Sequence, residues 1–232
     1  MINSEPLRVG VLSLARPTFD VPFAEQVCED AWNLLEKIPV TWIGSRELLF
    51  DSESVEFQIS KLKKKPFDLL LIMQLTFTDA TMTVKLAESF DVPLFFWSFP
   101  EERTGARLRL NSLCGVNLAS HALGKSGIQC DYINFSPNDP ETLEALSYWI
   151  RAFQTRKNLS QTKIAVIGEH PDEFHTCAFD SEKLNKIFGV KVEKMELEGL
   201  FYEAEKIEQK KVNLIRSELD SKINGLELVE QK

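Results

Sequence analysis

The sequence lacks the features that mark several large classes of protein. It has no excess of positive charge, because 27 Lys and Arg residues stand against 35 Asp and Glu residues, a net charge of −8. Proteins that bind phosphate backbones or anionic lipid surfaces need clustered Lys and Arg. We therefore expect neither a nucleic acid nor a membrane among the partners of this chain.

Long hydrophobic runs and cysteine pairs are also missing. The most apolar stretches are far shorter than the roughly 20 residues that a membrane-spanning helix needs. The first residues, MINSEPLRVG, contain no basic segment followed by an apolar one, as a secretory leader would. The four cysteines lie far apart without a CxxC pair, which favours neither a zinc site nor a disulfide framework: Cys28, Cys114, Cys130 and Cys177. These absences predict a cytoplasmic protein with reduced thiols.

Glycine-rich phosphate motifs are absent as well. The sequence contains no GxGxxG after its first apolar run and no GxxxxGK[ST] anywhere, which argues against a nicotinamide or nucleotide site. It contains no GxSxG, the turn that presents the nucleophile of a serine hydrolase. A flavin stays open, because the TFTDATM turn at 76–82 could wrap a phosphate although it lacks glycine. Our expectation is nevertheless that this chain itself binds no cofactor.

The sequence does contain a strict alternation of apolar runs and amphipathic segments. Continuous apolar runs are typical of strands buried on both faces of a parallel sheet. Helices are predicted at 22–37, after a cap at Asp51, from Thr78 or Asp79, at 111–123 and at 140–155, and strands at 7–14, 39–44, 67–74, 92–99 and 128–133. This order predicts an α/β fold with a Rossmann-like, flavodoxin-like doubly wound parallel sheet.

A second unit follows a polar segment at 156–162, which we interpret as a linker. A strand begins at Lys163, a helix runs from Asp180 to a glycine stop at Gly189, a strand covers 190–197, and a long polar helix covers 198–222. About 70 residues with two strands and two helices are too few for an independent core. The predicted domains are 1–158, Rossmann-like, and 159–232, a partial and truncated α/β unit.

Ligands of doubly wound sheets bind beyond the carboxyl ends of the strands. Hydroxyls, an amide, charged groups and aromatic rings follow three of the predicted strands and suit a polyol. The candidate substrate-binding residues are Arg16, Asp20, Gln74, Phe77, Trp97, Glu101 and Arg103. The alternative is that these are ordinary solvated loops, with Asp20 holding Arg16, and with Arg107 and Arg109 paired to Glu101 or Glu102.

The three histidines offer one further candidate. His121 falls in a predicted helix, where we expect it to be half-buried and structural. His170 and His175 lie near Glu169, Asp172 and Cys177, the densest group of metal-ligand residue types in the chain, yet their spacing matches no standard zinc pattern. Either a single metal or a hydrogen-bonded loop at a strand end accounts for this segment.

Four segments together resemble the L-fucose/L-arabinose isomerase-like proteins. These are RPTFD at 16–20, TFTDATM at 76–82, the stretch from WSFPEERTG to ASHAL at 97–123, and GEHPDEFHTCAFD at 168–180. The resemblance covers about residues 7 to 220. It implies an aldose–ketose isomerase that moves a proton through an enediolate with a divalent metal, commonly Mn²⁺.

The resemblance also implies where the chemistry lies. The metal ligands belong to later parts of such proteins, so Mn²⁺ is expected only with a C-terminal domain, and this chain carries no catalytic residue and is inactive alone. The N-terminal domain contributes to the sugar pocket of a neighbouring subunit, which implicates Arg16, Phe77 and Trp97. The implied partners are a sugar and either further copies of the chain or a complementary C-terminal polypeptide.

Two other functions remain open from the sequence. One is a non-catalytic sugar-binding or regulatory module on the same scaffold. The other is an unrelated flavodoxin-like or response-regulator-like domain, which is disfavoured because the acidic cluster that such a regulator carries after its first strand is missing.

Overall fold

A computed structural model describes residues 5–223. The chain divides into two compact units, Met1–Asn158 and Leu159–Lys232, which are described separately. Within the described range, no helix combines the length and the apolar character needed to cross a membrane.

The first unit contains a single parallel sheet with helices between its strands. The strands lie in the order β2-β1-β3-β4-β5, the flavodoxin-like order of a doubly wound sheet. The strands are β1 (Arg8–Leu14), β2 (Thr41–Leu49), β3 (Leu69–Gln74), β4 (Leu94–Ser98) and β5 (Cys130–Asn134), and the helices are α1 (Val21–Leu35), α2 (Ser52–Leu62), α3 (Thr81–Ser89), α4 (Ser112–Lys125) and α5 (Thr142–Ser160). The predicted Rossmann-like α/β class is confirmed.

The apolar runs form strands because both faces of the sheet are covered. Every residue of β3 and β4 is buried, as are six of the seven residues of β1. One core cluster contains Val11, Leu71 and Phe95 with residues of α1 and α5, and the other contains Leu70 and Phe96 with residues of α2, α3 and α4. Burial of each such large side chain contributes about 1.5–3 kcal/mol.

Three predicted boundaries in the first unit were wrong. Strand β2 runs to Leu49 and not to residue 44, because as a half-exposed edge strand it lacks a continuous apolar run. Helix α3 begins at Thr81, since the Asp79 carboxylate accepts the Thr81 amide at 3.1 Å and so ends the preceding turn. Helix α5 continues to Ser160 through the predicted linker, where the buried Lys157 holds it to the unit.

The second unit contains a two-stranded parallel sheet, β6 (Lys163–Ile167) and β7 (Lys191–Met195), and three helices. Helix α6 (Ser181–Phe188) is capped by the Asp180 carboxylate, which accepts the Lys183 amide at 2.8 Å, and it ends at Gly189 with φ of +73°, as predicted. A 3₁₀ turn covers His175–Cys177.

The single helix predicted at 198–222 was wrong. Two helices occupy this range, α7 (Leu197–Glu205) and α8 (Gln209–Asp220). The amides of Lys206 and Ile207 bond three residues back, which tightens the last turn of α7, and Glu208 is extended. No glycine or proline marks this break, so a residue-type pattern does not reveal it.

Candidate functional site

Three loops meet at the carboxyl edge of the first sheet, because β1, β3 and β4 are neighbours in it. They cover residues 15–20, 75–80 and 99–111, and we call their shared surface the rim. Backbone hydrogen bonds tie them together: the Phe77 amide donates to the Leu110 carbonyl at 2.8 Å, and the Asp20 amide donates to the Arg109 carbonyl at 3.1 Å. The loops therefore form one connected surface.

Arg16 lies on the rim with its backbone anchored and its side chain open. Its amide donates to the Thr76 hydroxyl at 2.8 Å, and its guanidinium Nη2 lies 3.9 Å from Oδ2 of Asp79. The side chain is 44% exposed. The sequence-based expectation that Asp20 orients Arg16 was wrong, because Asp79 is its carboxylate partner.

Asp20 instead joins two loops. Its Oδ1 accepts the Phe23 amide at 3.1 Å and so caps α1, while its Oδ2 accepts Nε of Arg109 at 2.8 Å. The Arg109 guanidinium also lies over the Phe23 ring, 3.8 Å from its centroid. The hydrogen bond from Arg109, followed by that from the Phe23 amide, lowers the pKa of Asp20. The carboxylate is thus charged and occupied, and Arg109 does not pair with Glu102 or through its side chain with Glu101.

Phe77 and Phe19 supply the aromatic part of the rim. Their ring centroids are 6.2 Å apart, and Phe77 is half-buried. The Arg107 guanidinium lies 5.0 Å from the Phe19 centroid and donates from Nη2 to the Thr18 carbonyl at 3.1 Å. A sugar ring has apolar C–H faces as well as hydroxyls, and this combination of rings and guanidinium groups suits both.

Two predicted site residues lie beneath the rim. Trp97 is fully buried in the core, packs on Phe99 and donates from Nε1 to the Phe135 carbonyl at 2.9 Å, so it does not present an aromatic face to a ligand. Gln74 is also fully buried, and its Nε2 donates to the Thr76 carbonyl at 2.7 Å and to the Thr78 hydroxyl at 2.9 Å. Trp97 and Gln74 are buried for the same reason, because β3 and β4 are covered on both faces up to their last residues.

Glu101 and Arg103 belong to the loop at 101–111, which we call the arginine loop. The Glu101 carboxylate accepts the backbone amides of Arg109, Leu110 and Asn111, the last two at 3.0 and 2.6 Å. Arg103 is exposed and has no ion pair among the described residues. Glu101 therefore shapes the loop, whereas Arg103 is free to meet a ligand.

The charge of the rim differs from that of the chain as a whole. Four of the nine arginines in the sequence lie on the three loops, in a protein with a net charge of −8. Of the acidic groups there, Asp20 and Glu101 are engaged by the contacts described above. The groups left to a ligand are mainly hydrogen-bond donors. Thr76 and Asp79, which contact Arg16, were not among the predicted site residues.

The structure bears on the metal candidate in the second unit. Over residues 5–223, no group of three or more His, Cys, Asp or Glu side chains is placed to hold a metal ion. His170 and Cys177 do line one cavity of about 300 Å³ with Lys194, and Nδ1 of His170 lies 3.0 Å from the Pro171 carbonyl oxygen. The arrangement supports a hydrogen-bonded loop. His121 is exposed and not half-buried.

A second cavity, of about 800 Å³, opens at the amino edge of the first sheet. Its lining includes Asp91, Ser120, Gln129, Asp131 and Arg156. Ligands of doubly wound sheets bind at the opposite, carboxyl edge, so the rim and not this cavity is the candidate substrate surface.

The sheet order defines a doubly wound α/β domain, and four arginines lie on the loops at its carboxyl edge. The chain belongs to the fucose/sulfoquinovose isomerase family, since the model of that family's N-terminal domain matches residues 10–160. The family resemblance inferred from the sequence is thereby confirmed.

Curated relatives named sulfoquinovose isomerase occur in several bacteria. The chain is 30% identical over 194 residues to a sulfoquinovose isomerase of Priestia aryabhattai, covering 84% of this chain and 44% of the relative. It is 29% identical over 205 residues to that of Alkalicoccus urumqiensis (88% and 46%) and 26% identical over 223 residues to that of Clostridium sp. strain MSTE9 (95% and 49%). The chain spans about half the length of the curated relatives it matches.

Proposed function

We propose that this chain is the N-terminal portion of an aldose–ketose isomerase and supplies part of the sugar pocket and of the oligomer contacts. The observation that carries the proposal is the match of residues 10–160 to the N-terminal domain of the fucose/sulfoquinovose isomerases. The rim at the carboxyl edge gives that domain a surface on which a sugar can bind.

In this proposal the rim binds and orients the sugar. The guanidinium groups of Arg16, Arg103 and Arg107 donate hydrogen bonds to sugar oxygens, and Phe77 covers an apolar face of the ring. Sulfoquinovose, named in the relatives, carries a sulfonate, and guanidinium groups bind such anionic oxygens by charge-assisted hydrogen bonds. We therefore place a sulfonated aldose ahead of neutral L-fucose or L-arabinose as the substrate.

Proton transfer needs a base together with a metal site. Moving a proton between two sugar carbons requires a base that is free to accept it. Of the rim carboxylates, Asp20 and Glu101 are engaged in hydrogen bonds, whereas Glu102 is exposed and has no metal-ligand group beside it among the described residues. The described residues contain no donor set that fits Mn²⁺. We propose that the base and the metal site belong to the half of the isomerase that this chain does not span, on a complementary polypeptide.

The second candidate is a sugar-binding module without catalysis. The exposed guanidinium groups of Arg16 and Arg103 support it, since they suit a sugar without any further group. In this case the rim binds a sugar in the same way, and no second polypeptide is needed for the chain's role.

The two candidates separate in one set of measurements. The chain alone, and the chain assembled with the polypeptide that completes the isomerase, are each given sulfoquinovose, L-fucose or L-arabinose, with Mn²⁺ or with a chelator. We expect ketose formation, followed by nuclear magnetic resonance, only in the assembled protein and only with metal. Turnover by the chain alone contradicts the proposal, and sugar binding by both with turnover by neither establishes the second candidate.

A further inference from the structure

Glu101 closes the arginine loop on itself. Its carboxylate accepts three successive backbone amides, those of Arg109, Leu110 and Asn111, immediately before helix α4. Asn111 has φ of +52° and its side chain does not cap the helix, so Glu101 holds the backbone at the point where it enters α4. Hydrogen bonds from amides to an ionised carboxylate are stronger than those between neutral groups.

The residues held by Glu101 also hold the other two loops of the rim. The Arg109 carbonyl accepts the Asp20 amide, and the Arg109 side chain pairs with the Asp20 carboxylate. The Leu110 carbonyl accepts the Phe77 amide, and the Leu110 side chain is fully buried. Each of these bonds depends on the backbone direction that Glu101 fixes.

The exposed part of the arginine loop lies between these fixed ends. Arg103 and Arg107 are both exposed there, and Gly105 turns the chain with φ of +82° at a place where an added Cβ would meet no atom within 4 Å. The described contacts of this stretch are few, chiefly those of Arg107 with Thr18 and Phe19. The direction in which the two arginines point therefore depends on where the loop is tied.

We propose that Glu101 is a positioning residue, which ties the arginine loop so that Arg103 and Arg107 face the sugar of the proposed isomerase. The sugar in this inference comes from the proposed function, but the hydrogen bonds that hold the loop lie within this chain alone. Glu101 then acts through the loop and does not touch the sugar.

The first test follows single amides by hydrogen exchange in the chain itself. In unmodified protein the amides of Arg109, Leu110 and Asn111 are expected to exchange at least about tenfold more slowly than those at 103–106. In Glu101→Gln they should lose most of this protection, whereas the matched control Glu102→Gln, an exposed neighbour, should leave them unchanged. If the amides at 109–111 and those at 103–106 exchange equally fast in the unmodified chain, the proposal is overturned even if no variant folds.

The second test uses the assembled isomerase, with rates per folded protein. Glu101→Gln should raise KM about tenfold and leave kcat within about twofold, since sugar orientation and not proton transfer is affected. In a background that carries Arg103→Ala and Arg107→Ala, Glu101→Gln should raise KM no further, because the groups it positions are gone. A full additional rise contradicts the positioning role. If the assembled wild type has no turnover, the proposed function fails. The exchange result still shows whether Glu101 holds the arginine loop.

Discussion

Nε of Arg109 lies 2.8 Å from Oδ2 of Asp20, so the loop after β4 is paired with the residue that caps α1, 89 positions earlier in the chain. The pair stabilises the rim only while Asp20 is charged. Its pKa is lowered from the ordinary value of 3.8, first by the hydrogen bond from Arg109 and then by that from the Phe23 amide.

We expect Asp20→Asn to lower the free energy of unfolding at neutral pH. A carboxylate whose pKa is lowered in the folded state stabilises it above the unfolded pKa of about 3.9, and this contribution is lost as the pH falls through the lowered value. The difference from wild type should therefore disappear in acid. Urea unfolding across this pH range measures it, with Asp51→Asn as a control for a helix cap without an arginine partner. A difference that persists in strong acid contradicts this account.

Arg16→Ala should affect sugar binding more than stability. The Arg16–Asp79 pair is 3.9 Å long with both side chains largely exposed, and such pairs contribute about 0–1 kcal/mol. In the assembled isomerase we expect binding or turnover to weaken at least about tenfold, which is about 1.4 kcal/mol. Titration calorimetry and thermal unfolding measure the two effects, with Arg46→Ala as a control away from the rim. A lower Tm with unchanged affinity would make Arg16 a structural residue.

Gly115→Ala should destabilise the first unit although alanine is the better helix former. A Cβ at this position would lie 3.0 Å from the side chain of the fully buried Gln74, and overpacking of this kind costs about 1–3 kcal/mol. Gly124 lies in the same helix, and a Cβ added there would meet no atom within 4 Å. Gly124→Ala should therefore be neutral or stabilising by up to about 1 kcal/mol. Urea unfolding of both variants compares them, and equal effects would contradict the close contact.

Lys157→Ala should destabilise the first unit by up to about 3 kcal/mol, because it removes one partner of a buried ion pair while Arg8 still pairs with Asp68. Nζ of Lys157 donates to Oδ2 of Asp68 at 2.9 Å and to the Pro6 carbonyl at 3.1 Å, and its side chain is 8% exposed. Burial tends to raise the pKa of Asp68, but the hydrogen bonds from Arg8 and Lys157 outweigh it and the pKa is lowered. Chemical unfolding measures the loss, and exposed Lys125→Ala is the matched control. Similar small effects in both would show that the pair adds little.

The helices α7 and α8 should exchange their amides faster than strands β1 and β3. Every described residue from Glu193 to Ile223 is exposed, including the large apolar side chains of Phe201 and Leu214. Helices are stabilised mostly by tertiary packing, which these two lack among residues 5–223. Hydrogen exchange at residue resolution measures the difference. Equally slow exchange would show that their apolar side chains are covered in solution, as by self-association.

Local patterns were sufficient for much of the fold. The apolar runs at β1, β3 and β4 predicted a parallel sheet, because strands covered on both faces are built mostly of apolar residues. The caps at Asp51 and Asp180 and the stop at Gly189 were also predicted correctly, since each depends on residues within a few positions. The end of α5 was not, because it depends on Lys157 meeting Asp68 across the unit.

The sequence predicted that three loops meet at one edge of the sheet, but not the contacts within those loops. The sequence indicated that the residues after β1, β3 and β4 lie at one edge, yet it placed Trp97 there and paired Asp20 with Arg16. The structure buries Trp97, pairs Asp20 with Arg109 and turns Glu101 toward its own loop. These outcomes depend on which loops become neighbours and on which face of the strand each side chain occupies.

The sequence by itself determined the class of fold, the meeting of three loops at the carboxyl edge and the family, because burial periodicity, capping residues and motifs are carried by short segments of chain. Only the tertiary structure decided which charged groups at that edge are occupied and which are free. Ion pairs and amide contacts join residues that are distant in sequence, and their partners are fixed only when the strand order brings three loops together.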